Sequence, residues 1–287
     1  MPPTPRIPVD AVRRAFPELT TIEFLDAGGQ SDVWKVAIDG KTEILRVLVK
    51  ATEAGRVARE MAALSSIDSP HVMRVYEVRE LEHDEATHKV VRAEFIDGPS
   101  LAQASQQSAP DVAAVIACAA GVLRALSELH ERDLVHRDIK PQNAILRGGD
   151  WRRPVVLDLG YIRDLVAPPL TEYPARIGTV QFMAPEQLRH EPAVLRSDIY
   201  ALGITLFLLS SGTHPFVGIG ETQLEVDEVL RRMEAEDWPD WVRLPSPGAP
   251  ALRRFIEPML AYEPYERPSA RKALARAEGL IAEEQWR

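Results

Sequence analysis

Apolar and polar positions begin to alternate at Thr21. Ile22–Leu25 and Val33–Ile38 read as strands joined by Asp26–Asp32, Asp39-Gly40 is a hairpin turn, and Ile44–Val49 is a third strand. The period then changes: Val57, Met61 and Leu64 share one face of a helix predicted over Ala51–Ile67. Ser69–Tyr76 leads into two further strands separated by the polar turn Glu82–His88, with Val90–Ile96 as the fifth. From Asp111 to His130 a wide apolar stripe (Val112, Val115, Ile116, Ala119, Leu123, Leu126, Leu129) predicts a long core helix. Ala144–Leu146 and Val155–Leu157 are short apolar strands beyond it. Ahead of all this, residues 1–8 are proline-rich and expected to be mobile, and Asp10 is placed to cap a helix over Ala11–Phe16 that Pro17 ends.

The bulk properties narrow the class. The 287 residues are 45% apolar and 27% charged, an ordinary globular balance, and the net charge of −9 argues against a nucleic-acid partner. Cys118 is the single cysteine, set in an apolar run, so no disulfide can form within the chain and a reducing compartment is expected. No uninterrupted apolar run approaches the ~20 residues of a membrane span. Ile199–Leu209, broken by Gly203 and Thr205, is taken as the longest, and Met1-Pro2-Pro3-Thr4-Pro5 does not read as a signal peptide. The expectation is a cytoplasmic protein with neither membrane nor nucleic acid among its partners. Six lysines against 28 arginines, with abundant alanine, match a high-GC bacterial composition. His71, His83, His88, His190 and His214 show no metal-ligand spacing and are read as surface or capping residues.

Chemistry concentrates in His136-Arg137-Asp138-Ile139-Lys140-Pro141-Gln142-Asn143. An Asp, a Lys two residues on and an Asn five residues on suit a loop that handles a phosphate and a metal: the Asp orients a hydroxyl, the Lys neutralises a phosphoryl group, and the Asn oxygen ligates Mg²⁺. The octet resembles the catalytic loop of eukaryotic-type protein kinases, and its Lys-Pro resembles the serine/threonine branch. Further motifs follow in the family's order. Asp158-Leu159-Gly160 resembles the metal-binding D-F-G, and Gly178–Glu186, ending in Ala-Pro-Glu, resembles the end of the activation segment. Ser197–Gly203 resembles the start of the next helix, and Glu263-Pro264-x-x-Arg267-Pro268 resembles the segment that supplies an arginine partner for Glu186.

The resemblance, which covers residues 18–280, implies a two-lobed α+β fold: an N-terminal extension (1–17), a small antiparallel-sheet lobe with one main helix (18–96), and a larger, mainly helical lobe (97–287). It implies ATP with Mg²⁺ or Mn²⁺, a protein substrate bearing a Ser or Thr hydroxyl, and room for a kinase–kinase dimer. Asp138, Lys140 and Thr179 take the catalytic roles, and Asn143 and Asp158 hold the metal. Gly28, Val33, Ile44, Arg46, Glu60, Glu94, Ile96 and Ile145 line the nucleotide, with Glu94–Gly98 as the hinge segment and Ala93 as gatekeeper. His136 packs and hydrogen-bonds, Arg137 receives a phosphate carried by Thr171 or Tyr173, Asp198 caps the catalytic-loop backbone, and Glu186 pairs with Arg267.

Two positions depart from the family pattern. The glycine-rich flap G-x-G-x-x-G reads Asp26-x-Gly28-x-x-Ser31, and the third-strand lysine of V-A-I-K is replaced by Arg46, whose expected partner is Glu60. A planar fork is not a conservative replacement for an ammonium. Three readings stay open: a kinase that works with Arg46 at reduced rate, a pseudokinase that binds nucleotide or proteins, and an engineered inactivating replacement. Intact Asp138, Asn143 and Asp158 argue against the second. A small-molecule phosphotransferase is a further alternative, against which Ala-Pro-Glu and Arg267 stand. Lys35 shares strand parity with Val33 but is read as solvent-facing.

Overall fold

The structure, a computed structural model, describes residues 4–27, 31–49, 67–157, 163–164, 181–218, 221, 225–236 and 248–283. The expected helix over 51–67 with Glu60 therefore lies outside the described residues, apart from Ile67. So do Gly28, Asp158, Thr171, Tyr173 and Thr179. The chain divides into two compact units, Met1–Ile96 and Asp97–Arg287.

The first unit is built on five antiparallel strands: β1 (Leu19–Ala27), β2 (Ser31–Ile38), β3 (Lys41–Leu48), β4 (Val75–His83) and β5 (Ala86–Glu94), in the order β1-β2-β3-β5-β4. Asp39 and Gly40 both take positive φ (49° and 76°), the backbone that lets a two-residue loop follow the twist of β2 and β3. Directly paired residues share a face. Trp34 with Leu45 and Val47 with Val90 fall on one side, where they form a core with Ile7, Ala11, Val12 and Phe16. Val33 with Arg46 and Ile44 with Ala93 fall on the other.

Three expectations are corrected here. The segment before residue 9 is not mobile throughout: the carboxylate of fully buried Asp32 accepts from the backbone N–H of Arg6 (2.7 Å) and Ile7 (2.9 Å) and from Arg6 Nε (2.9 Å), while Ile7 sinks into the core. A buried carboxylate must be paired, and this segment supplies the donors. The first helix, α1, spans Val9–Ala15 with Pro8 as its N-cap, so Asp10 sits in the first turn instead of capping. Its charge still suits the positive helix end. The fifth strand runs Ala86–Glu94 rather than Val90–Ile96, because the turn narrows to Asp84-Glu85, both at positive φ (47° and 59°).

In the second unit, α2 (Leu101–Gln107) starts with a reciprocal capping box between Ser100 and Gln103, and α3 (Val112–His130) is N-capped by Asp111, which accepts from Ala114 N–H at 2.7 Å. Four short strands follow: β6 (Leu134–Val135), β7 (Ala144–Leu146), β8 (Pro154–Val156) and β9 (Arg163–Asp164), paired β6–β9 and β7–β8. Then come α4 (Pro185–Leu188), α5 (Leu195–Ser211), α6 (Val226–Glu234), α7 (Ala249–Ile256) and α8 (Ala270–Glu283). Gly98 has φ 144°, and a Cβ there would lie 1.9 Å from the Leu146 carbonyl oxygen, so only glycine lets this segment close on β7.

Among the described residues, the core helix α3, not Ile199–Leu209, is the segment long and apolar enough to cross a bilayer by length and composition. Small residues account for the difference: Ala119, Ala120, Gly121 and Ala125 bury the helix beyond its apolar stripe, and Cys118 is buried among them. Burial pushes the Cys118 thiol up to about 12, so it stays an inert core group.

Candidate active site

The catalytic-loop candidates sit on the bend between β6 and β7. Residues Pro141–Asn143 form a single 3₁₀ turn, with proline at a position where no N–H is needed. Lys140 Nζ donates to both oxygens of Asp138 (2.9 and 2.8 Å). The Asn143 amide nitrogen donates to the Asp138 carbonyl (2.9 Å) and to its Oδ2 (2.6 Å). Both amide protons thus go to Asp138, which fixes the flip of Asn143 and leaves its oxygen as the side-chain group with which it can meet a hard cation. The Asn143 carbonyl accepts from Leu157 N–H at 2.8 Å, tying this turn to the residue just before Asp158.

The loop is held from beneath by buried groups. Asp198, 1% exposed at the start of α5, accepts from the backbone N–H of His136 (Oδ2, 2.9 Å) and of Arg137 (Oδ1, 2.8 Å). His130, at the end of α3, meets the same Oδ2 at 2.9 Å. His136 is fully buried. Its Nε2 lies 2.7 Å from the Leu157 carbonyl, so Nε2 carries the proton and Nδ1 accepts from Asp138 N–H at 3.3 Å. Arg137 takes φ 69°, a left-handed backbone that these bonds hold in place.

Behind the loop, Glu186 and Arg267 form a two-pronged pair (2.8 and 2.9 Å) in which both residues are almost fully buried. Arg267 also donates to the carbonyls of Ala261 and Tyr262 (both 2.7 Å) and lies 4.7 Å over the Tyr200 ring, while Ser197 donates to Glu186 at 2.6 Å. Burial alone would raise the Glu186 carboxyl. The Arg267 and Ser197 bonds outweigh it and hold the group below its usual range.

In the first unit, Arg46 has Val33 and Val91 as its paired residues on β2 and β5, and its Nε donates to the hydroxyl of buried Ser31 at 2.8 Å. Ile44 pairs with Ala93, so the expected gatekeeper and two expected nucleotide-lining positions share the face that carries Arg46. The Glu94 N–H is committed to the Arg74 carbonyl (2.9 Å), and Ile96 is buried. Lys35 is not simply solvent-facing: its ammonium lies 4.6 Å over the Phe95 ring. In the second unit, Ile145 pairs with Val155 on β8 and also bridges Ser100.

Several contributors escaped the sequence reading. His130 was passed over and Asp32 carried no motif. Among the histidines read as surface or capping residues, His71 and His88 are buried (8% exposed each), and His88 Nδ1 contacts the Leu48 carbonyl at 3.1 Å. His214 Nε2 donates to the Gln181 carbonyl (2.7 Å), while its Nδ1 accepts from Phe216 and Val217 N–H (both 3.1 Å). Burial drives the His214 ring down to about 4, against the opposing effect of the Gln181 bond. No cluster of three or more metal-ligating side chains occurs among the described residues.

The protein kinase domain profile matches residues 27–277. Among curated proteins, the chain is 33% identical over 253 residues to the serine/threonine-protein kinase PkaA of Streptomyces coelicolor, covering 85% of this chain and 44% of that one. It is 34% identical over 166 residues to a probable serine/threonine-protein kinase PknB of Lactococcus lactis, covering 57% of this chain and 25% of the relative. The chain thus spans a quarter to a half of the length of these relatives. Among solved structures, the autoinhibited serine kinase domain of the giant muscle protein titin superposes with a TM-score of 0.73 at 22% identity, over 91% of this chain and 80% of that one, which establishes the fold. With a family match across most of its length and a kinase fold, the chain belongs to the protein kinase domain family.

Proposed function

We propose that this chain transfers the γ-phosphate of ATP to Ser or Thr hydroxyls of a protein substrate. The observation that carries the reading is the triad Asp138–Lys140–Asn143, assembled by direct hydrogen bonds on a loop whose backbone is clamped by Asp198. Asp138 accepts the proton of the attacking hydroxyl as the oxygen turns on the phosphorus. Lys140, bonded to both Asp138 oxygens, moves its charge onto the transferring phosphoryl group, releasing the carboxylate for the hydroxyl. Asn143 offers its side-chain oxygen to Mg²⁺ or Mn²⁺ together with Asp158. The metal, when bound, neutralises the phosphates and shields the developing charge. Thr179 takes the role of favouring hydroxyl substrates. In the first unit, Arg46 takes the role of meeting the α- and β-phosphates with Glu60 as its partner, Gly28 that of letting the flap approach them, and Val33 and Ile44 that of packing on the adenine, with Glu94 and Ile96 offering backbone; in the second unit, Ile145 takes an adenine-packing role. The buried Glu186–Arg267 pair supports the reading that the segment before it shapes a protein-substrate surface.

The second reading, a pseudokinase, is favoured by one feature, arginine in place of lysine. Incorporation of label from γ-phosphate-labelled ATP with Mg²⁺ or Mn²⁺ into a generic basic protein separates the two. Label from the unaltered chain, lost in Asp138→Ala, supports a kinase that uses arginine. Label from Arg46→Lys alone identifies Arg46 as the block. No label from either variant or parent sinks the kinase reading.

A further inference from the structure

The two departures from the family pattern touch each other. Ser31 stands where the flap's third glycine is expected, and Arg46 where the strand lysine is expected. In the β2–β3 register Ser31 faces Leu48 and Val33 faces Arg46, so Ser31 and Arg46 are diagonal neighbours on one face. That separation is within reach of a long side chain. Ser31 is 2% exposed, and its hydroxyl accepts from Arg46 Nε at 2.8 Å. Glycine at 31 has no atom to accept this bond, and lysine at 46 has no N–H partway along its side chain to make it. Arginine there with glycine at 31 would lose the hydroxyl that holds its Nε, and serine with lysine would bury a hydroxyl without this partner. Each departure therefore makes sense of the other.

We propose that Ser31 is a positioning residue for Arg46, so that the two form one replacement unit for the glycine and lysine of the family. The bond takes up Nε and limits rotation of the guanidinium plane about the Cδ–Nε axis. The remaining donors, on the two Nη atoms, are those with which the fork meets a carboxylate or a phosphate. An arginine fixed in this way presents a defined two-pronged edge to the α- and β-phosphates, where a lysine presents a compact, rotating point charge. This inference rests on the nucleotide role proposed for Arg46, and it assigns the arginine to the site as an evolved arrangement.

The test is a double-mutant cycle on the full chain: parent, Ser31→Ala, Arg46→Lys and the double variant, each checked for cooperative thermal unfolding. Two readouts are taken, the Kd for Mg-ATP and the ¹⁵Nε–¹H signal of Arg46. Removing a hydrogen bond to a charged donor predicts roughly tenfold weaker Mg-ATP binding for Ser31→Ala in the parent, and less than about twofold in the Arg46→Lys background. The Arg46 Nε–H signal shifts and exchanges faster in Ser31→Ala. Equal effects of Ser31→Ala in both backgrounds would mean a structural role for the serine and would overturn the proposal, as would no effect in either. No Mg-ATP binding by any of the four overturns it together with the nucleotide role of Arg46. Coupled binding without phosphoryl transfer leaves this proposal standing and removes the kinase reading instead.

Discussion

The two units carry their candidate functional side chains in contrasting ways. In the second, the proposed catalytic loop is held by several converging hydrogen bonds. Asp198 alone gathers two backbone N–H groups and His130, His136 joins Leu157 to Asp138, and Asn143 and Lys140 converge on one carboxylate. In the first, the positions proposed to meet the nucleotide stand on strands whose backbone ladders hold regardless of side chain, and the Arg46 Nε is held by the Ser31 hydroxyl across a strand pair. A position bound by many partners cannot change singly, because each change leaves a buried donor or acceptor unpaired. Two side chains joined by a direct bond across a strand pair can change together. The proposed catalytic loop accordingly keeps the H-R-D-x-x-x-x-N pattern, and the strand face carries the paired departure.

That contrast is broken or sharpened by graded perturbations. The largest effect is expected at the buried Glu186–Arg267 pair: Arg267→Met strands a carboxylate and lowers unfolding free energy by roughly 3–5 kcal/mol in denaturant titration. A loss under 1 kcal/mol would mean that this unit is not over-determined. Second comes pH. The His214 ring falls from its ordinary 6.5 to about 4 in the folded chain, so the unfolded chain binds the extra proton first. Stability is then full above pH 6.5 and declines as pH falls from 6.5 toward 4, by up to about 3 kcal/mol. His214→Asn should flatten that limb of a pH series of chemical denaturation. Third, Gly98→Ala forces a Cβ onto the Leu146 carbonyl and should cost at least about 2 kcal/mol, read as a lowered thermal midpoint. The smallest is Ser31→Ala, expected to change stability by under about 1 kcal/mol while altering nucleotide affinity. A stability loss as large as that of Arg267→Met would erase the difference between the units.

Much of the frame was readable from periodicity and turn chemistry. Asp39-Gly40, the β2 and β3 strands and the α3 stripe are local signals, and local signals survive in a sequence. The contacts of Asp198 with the loop and of Glu186 with Arg267 lie far apart in the chain. They were reachable only because the motifs around them resemble a family. What stayed hidden has a common cause. Asp32 accepting from Arg6 and Ile7, Ser31 accepting from Arg46, and His214 gripping Gln181 are side-chain bonds set by register and packing, which apolar patterning does not encode. The same limit explains why a proline-rich start read as loose turns out to be strapped to β2.

The most direct test of the account is to map, by mass spectrometry, phosphate transferred from Mg-ATP to a generic basic protein by the unaltered chain and by Asp138→Ala. The account predicts phosphoserine and phosphothreonine from the unaltered chain, with the initial rate falling by about 10²–10⁴-fold in Asp138→Ala. Phosphorylation that persists undiminished in Asp138→Ala would contradict it.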